Sequence, residues 1–283
     1  MHIAIVNSYK ISDKEYKAEL YQLMQERKSK NVTLQLKKLA INNLIDAILL
    51  KEESQKVDLP INEQEVQYQF IEIQNQYSSS DEFSDQMKKY SLTTDKLIEH
   101  IRNNIRVKQF IKSHFINKVK IEHNKISEYY EAHKHDFIIP EEIKICHILV
   151  KDDGLNSFQK IEEISKRLYN KDDFCEIAKE YSDCPSGKDG GNLGYIQRGK
   201  ILKELEDVAF CLPIGQITGP IKTRFGYHFV KVMDKKKSRI PEFKEIKDAL
   251  KKQLERITGE LELLKHIRKL RANADIIINH EYL

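Results

Sequence analysis

The 283-residue sequence holds no apolar run near the ~18 residues of a membrane-spanning helix. No membrane span is therefore expected. It also lacks an excess of charge of one sign: 48 Lys and Arg stand against 44 Asp and Glu, a formal net charge of +4, although 33% of residues are charged. That balance excludes an acidic tail and a strongly basic nucleic-acid binder. Cysteine is scarce. Cys146, Cys175, Cys184 and Cys211 show no CxxC spacing and are too few for a disulfide framework in a chain of this length, so reduced thiols are expected. The start, MHIAIVNSYKISDKEYK, has neither the basic beginning, the long apolar region nor the small-residue cleavage site of a secretory signal. A cytoplasmic protein is the expectation, the alternative being an exported one whose signal has been removed. Turn formers are scarce too: there are 10 Gly and 6 Pro, and all but Pro60 and Gly259 lie between Pro140 and Pro241. One segment is turn-rich and both its flanks are nearly free of turns.

The pattern of side chains agrees with that division. Residues 3–9 (IAIVNSY) are β-prone, and Ser12 with Glu15 three positions later forms the capping-box pattern, which predicts a helix beginning there. Ile11 and Tyr16 fit the hydrophobic staple of the same helix end. Helical periodicity continues over about 32–56, 62–76, 80–90, 93–116 and 122–133. From Pro140 the pattern changes: EEIKICHILVK alternates as a strand, SFQKIEEISKRLYN and DFCEIAKEYS read as helices, and GNLGYI, ITGPIKT and YHFVKVM read as strands among glycines. After Pro241 a long helix carries Phe243, Ile246, Leu250, Leu254, Ile257, Leu261 and Leu264 on one seam, followed by a terminal strand, ADIIIN. The two terminal strands are expected to pair and the last helix to pack back on the first helical part. The middle of the chain is then an insertion, and the expected segments are 1–138, 139–237 and 238–283.

Within the middle segment CHILV (146–150), FCEIAKEYSDCPSGKDGGNLGYIQRGKI (174–201), LEDVAF (205–210) and GPIKTRFGYHFVKV (219–232) resemble, in order and spacing, the parvulin-type peptidyl-prolyl cis-trans isomerases. The flanks are similar to the chaperone domain of the SurA and PrsA class of foldases. The resemblance implies an α+β fold: a parvulin-like domain, a four-stranded antiparallel sheet with helices, inserted in an all-helical chaperone-like domain that the C-terminal helix and strand complete. It further implies that His147 and His228 form a paired-histidine network under the active site, that Cys184 faces the substrate carbonyl, and that Thr223 joins the network. Leu193, Ile201 and Leu205 match the wall that grips the proline ring, with Phe210 and Phe225 beside it. No cofactor and no metal are implied. The implied partners are unfolded or partly folded client polypeptides containing proline, not nucleic acid, and a homodimer is compatible with the architecture.

The chemistry that such a site must perform is rotation about a peptide bond, against a barrier of ~18–20 kcal/mol. At Xaa-Pro bonds it is slow enough to limit folding. A catalyst must favour the twisted amide over both planar forms, and no covalent step is required. Two departures from the family stand out. Ile201 and Leu205 occupy positions where many relatives carry Met and Phe, which keeps open a holdase-type chaperone with a weakly active or inactive parvulin domain. Asp152 and Asp153 stand where phosphate-directed members carry a basic loop, and they would repel a phosphate. A dedicated maturation factor of the NifM type is a further alternative suggested by the missing signal.

Other chemistries fit less well. Cys184 with His147 or His228 could be drawn as a cysteine-protease pair, but no orienting third residue and oxyanion hole are evident. A zinc set of Cys146, His147, Cys184 and His228 is opposed by the alternation of a strand, which points adjacent Cys146 and His147 to opposite faces. The cluster KDGGNLG lacks both phosphate-loop patterns and precedes a strand, so it reads as a turn. Lys235, Lys236 and Lys237 with Arg239 read as a solvated linker.

Overall fold

The computed structural model describes residues 2–89, 92–279 and 282. Tyr90, at the edge of one expected helix, lies outside them. In chain order the elements are β1 (His2–Val6), β2 (Tyr9–Ser12), α1 (Asp13–Glu26), α2 (Leu34–Gln55), α3 (Glu63–Gln74), α4 (Ser80–Lys89), α5 (Thr94–Ile111) and α6 (His123–Ala132). There follow β3 (Glu142–Val150), α7 (Leu155–Tyr169), α8 (Phe174–Tyr181), β4 (Asn192–Gln197), α9 (Lys203–Ala209), β5 (Ile217–Thr223), β6 (Gly226–Lys236), α10 (Phe243–Asn273) and β7 (Ile276–Ile278). The chain divides into two compact units, one made of 1–126 with 247–283 and the other of 127–246.

The discontinuous unit is built around its own ends. β7 pairs antiparallel with β1, Ala4 opposite Ile278 and Val6 opposite Ile276, and β2 closes the other side of β1. The expected single strand over 3–9 is thus a hairpin, turned at Asn7, which adopts φ 51°; Asn tolerates this left-handed region better than most residues. Ser12 caps α1 through the full reciprocal box with Glu15, and Ile11 and Tyr16 are both buried. The hairpin, α1 and α2 enclose a core of Ile3, Val6, Ile11, Leu23, Ala40, Ile41 and Ile45, against which Leu270, Ile276 and Ile278 pack. Arg271 clamps α10 to α2: its Nε donates to Asp46 Oδ1 at 2.5 Å and its other nitrogens to Asn42 Oδ1 and O, both at 2.9 Å. A second core of Val66, Phe83, Leu97, Ile101 and Ile105 joins α3, α4 and α5.

Two local readings are corrected. The periodic run expected as one helix to residue 116 leaves the α form at Lys112 for a π-helical turn, Lys112–Ile116. The seam of α10 also does not pack along its length. Leu250 is buried, but Ile257, Leu261 and Leu264 are exposed. A helix of 3.6 residues per turn drifts ~20° per heptad from a 3.5-residue seam. Here Gly259 takes the inward face, where an added Cβ would lie 2.8 Å from the Phe115 carbonyl oxygen.

The unit 127–246 holds a four-stranded antiparallel sheet in the order β4-β3-β6-β5. Alternation along its two central strands sorts side chains into two layers. Cys146, Ile148, Val150 and Phe229 meet Ile161, Ile164, Phe174 and Ile177 of α7 and α8. Ile143, Ile145, Val230 and Val232 face Leu205, Ala209 and Phe210 on the other side. Tyr130 ties the ends of this unit together, its hydroxyl donating to the Pro241 carbonyl at 2.7 Å and its ring lying 5.5 Å from that of Phe243. Among the described residues no helix is long and apolar enough to cross a membrane.

Candidate active site

His147 and Leu149 continue the odd-numbered face of β3, and His228 the same face of β6, where Leu149 pairs with His228 and His147 with Val230. The two imidazoles are buried and stacked, ring centroids 5.6 Å apart and planes 27° from parallel. Each is anchored through Nε2. Thr223, at the end of β5, places its Oγ1 2.9 Å from His228 Nε2, and the same oxygen accepts from Phe225 N at 3.1 Å. Ser186 places its Oγ 3.0 Å from His147 Nε2 and 3.2 Å from Cys184 Sγ. The Nδ1 atoms of both histidines are buried without a hydrogen-bond partner.

That arrangement sets the charge of the site. Burial lowers the pKa of His147, and burial together with the neighbouring His147 draws that of His228 down to about 4. Glu204 acts the other way on His228, but burial and the neighbouring imidazole outweigh it, which favours neutral rings at pH 7. A neutral ring has one N–H, and Cys184, Ser186, His147 on one side and His228, Thr223 on the other form two short relays of single-proton hydrogen bonds. Such relays orient side chains without separating charge.

The loop bearing Cys184 reaches β3 through a glycine. His147 N donates to Gly191 O at 2.8 Å, and Gly191, at φ 77°, lies so close that a Cβ would be 2.1 Å from the His147 carbonyl oxygen. The cluster that reads in sequence as a turn is therefore also what holds Ser186 and Cys184 beside the histidines. Ser182 contributes too, its Oγ accepting from Leu149 N at 3.1 Å and from Cys184 N at 3.3 Å.

Above the histidines lies a cavity of about 440 Å³, lined by His147, Leu149, Cys184, Leu193, Gly199, Lys200, Ile201, Leu202, Leu205, Phe225 and His228. Seven of the nine residues singled out in the sequence line it. The other two do not: Thr223 lies beneath His228 as its hydrogen-bond partner, and Phe210 is in the core layer under Arg198, whose guanidinium is 4.2 Å from its ring. Ser186 and Leu149 were missed in sequence. The signal for Ser186 was its place two residues after Cys184 in SDCPSG; for Leu149 it was the period-two step from His147. Cys146 packs with Phe174 in the opposite layer, away from His147, and burial raises its thiol pKa to about 11.

Residues 146–234 match the rotamase family, described as the PPIC-type PPIase domain. The foldase protein PrsA of Geobacillus kaustophilus is 30% identical over 242 residues, 85% of this chain and 74% of that protein. The foldase protein PrsA of Caldanaerobacter subterraneus is 29% identical over 245 residues, 81% of this chain and 72% of that protein. A solved structure reported for the SurA-like chaperones PEB4 and Cj1289 of Campylobacter jejuni is 24% identical, with a TM-score of 0.49, and covers 99% of this chain and 100% of that one. With its PPIC-type peptidyl-prolyl isomerase domain set between the two parts of a discontinuous helical unit, and with kinship running through both, the chain belongs to the PrsA family of foldases.

Proposed function

We propose that the cavity over the two histidines isomerises Xaa-Pro bonds of unfolded client polypeptides, with His147, Cys184, His228 and Thr223 as the site's polar members and Leu193, Ile201, Leu205 and Phe225 as the grip on the proline ring. The observation that carries this reading is an apolar cavity floored by two neutral imidazoles. A planar amide owes its stiffness to resonance that puts negative charge on the carbonyl oxygen. Moving it from water to an apolar wall removes solvation from that charge, which the twisted form lacks, so the barrier falls. A charged histidine would restore the planar form's advantage. Burial keeps the rings neutral, the hydrogen bonds to Ser186 and Thr223 hold them in place, and no proton needs to move. Phe210 contributes by backing Leu205 in the core layer.

The helical unit raises the local concentration of client prolines, so a modest catalyst gains from tethering. The kinship with PrsA does not support the cytoplasmic expectation, and the exported alternative takes its place in this reading. A homodimer would add a second holding surface.

The test is a protease-coupled isomerisation assay on short Xaa-Pro peptides with the full chain and its Cys184→Ala, His228→Ala double variant. The wild type is expected to be clearly faster. Equal rates would leave the holdase alternative in its place.

A further inference from the structure

We propose that Cys146 and Cys175 form an intramolecular disulfide that ties β3 to α8 behind the candidate active site. The inference does not depend on the isomerase reading; it takes from the proposed export only an oxidising setting, in which such bonds persist. All four cysteines are free thiols in the structure, and no spacing in the sequence singles out this pair.

Two close approaches bring them together. Cys175 lies in the first turn of α8, where Gly190 presses on it so tightly that an added Cβ would be 2.7 Å from Cys175 Cβ and 3.2 Å from its Sγ. Two residues further on, Asn192 stands opposite Cys146 in the β3–β4 register. Cys146 in turn points into the layer filled by Phe174, Ile177 and Ala178, the inner face of α8. Its thiol interacts with Cys175 directly, by a hydrogen bond and by charge, after the larger effect of burial. A disulfide needs Cα atoms within about 7 Å, the reach of a two-residue step. The other thiols are placed elsewhere. Cys184 contacts Ser186 on the histidine side of the sheet, and Cys211 is exposed, next to Phe210 of that same layer.

The difference in exposure orders the chemistry. The oxidant is a soluble disulfide, of which glutathione disulfide is the simplest probe. Cys175 is half-buried and Cys146 only 3% exposed, so the thiolate of Cys175 attacks the donor first, forming a mixed disulfide and expelling one donor thiolate. The thiolate of Cys146 then displaces the second donor thiolate from Cys175. One S–S bond breaks in the donor and one forms in the chain; two protein thiols are oxidised, and their two protons end on the two donor thiols. With its thiol pushed up to about 11 by burial, Cys146 enters slowly and also leaves slowly, so the finished bond resists reduction.

The experiment oxidises the reduced full chain with excess glutathione disulfide, blocks the remaining thiols with iodoacetamide under denaturing conditions and maps the peptides by mass spectrometry. The expected result is a linked Cys146–Cys175 peptide, with Cys184 and Cys211 alkylated or carrying glutathione. In calorimetry the transition of the 127–246 unit should rise by about 5–10 °C on oxidation. Cys175→Ser and Cys146→Ala should each abolish both signals, whereas Cys211→Ser should leave both in place. Cys146 recovered in alkylated form after Cys175 has taken up glutathione, a link through Cys184 or Cys211, an unshifted transition, or a shift that survives Cys175→Ser overturns the inference. Turnover of Xaa-Pro peptides is read separately on the reduced chain, so its absence refutes the isomerase reading and leaves the disulfide standing.

Discussion

Replacing Gly191 by alanine, with Gly194→Ala as its reference, isolates the close approach that joins the cysteine loop to the histidine strand. Both residues have positive φ, 77° and 70°, so each alanine meets the left-handed penalty of about 1–2 kcal/mol. Their surroundings differ. Nothing lies within 4 Å of an added Cβ at Gly194, whereas at Gly191 it would be 2.1 Å from the His147 carbonyl oxygen. Relieving that contact needs a retreat of at least about 1 Å. The 2.8 Å bond from His147 N to Gly191 O is then stretched beyond useful length, and an unmet buried donor costs about 1–3 kcal/mol. Gly191→Ala should thus be about 2 kcal/mol more destabilising than Gly194→Ala, a Tm difference of roughly 8 °C in the transition of the 127–246 unit. Scanning calorimetry of the full chain reads this, and isomerase activity should fall with it because Ser186 and Cys184 move with the loop. Equal Tm values for the two variants would refute the reasoning.

Two further outcomes follow from the same site. Ser186→Ala removes the shared partner of His147 and Cys184 while deleting one part-buried hydroxyl; kcat/KM should drop several-fold with a stability loss of only about 1 kcal/mol. An unchanged kcat/KM, measured beside a melting curve, would remove Ser186 from the site. The pH dependence has a definite sign: with the folded pKa of His228 lowered to about 4 and an unfolded value near 6.5, the unfolded chain takes up the proton first as pH falls. Stability is full above about 6.5 and declines through the window down to about 4, by up to about 3 kcal/mol. An NMR titration of the His228 ring should show no transition above about pH 5, and a midpoint near 6.5 would contradict the buried neutral pair.

Much of this was legible because the relevant signals are local. The Ser12–Glu15 box, the alternation of β3 and the spacing from Cys184 to His228 are each carried by a few neighbouring residues, and the pairing of the chain ends followed from two short β-prone stretches around helices. What stayed hidden depends on tertiary contact. Asn7-Ser8 is too brief to break an apolar run by eye, so the β1–β2 hairpin read as one strand. The π-turn at Lys112–Ile116 and the inward face of α10 belong together through Gly259, whose meaning appears only when Phe115 is seen against it. Phe210 matched by spacing, yet packing under Arg198 kept it in the core. Ser186 was masked by a more conspicuous neighbour.

The antiparallel pairing of β7 with β1 has a temporal meaning. Synthesis, and threading of a chain N-terminus first through a pore, both deliver residues in order. All four strands of the isomerase sheet have emerged by Lys236, while the three-stranded sheet waits for Ile276 and the clamp on α2 for Arg271. The isomerase sheet is therefore complete in sequence order before the discontinuous unit can close, and the stretch from Arg271 to Ile278 acts as the latch of that closure. A chain released before Arg271 would carry every strand of the isomerase sheet and an unclosed discontinuous unit.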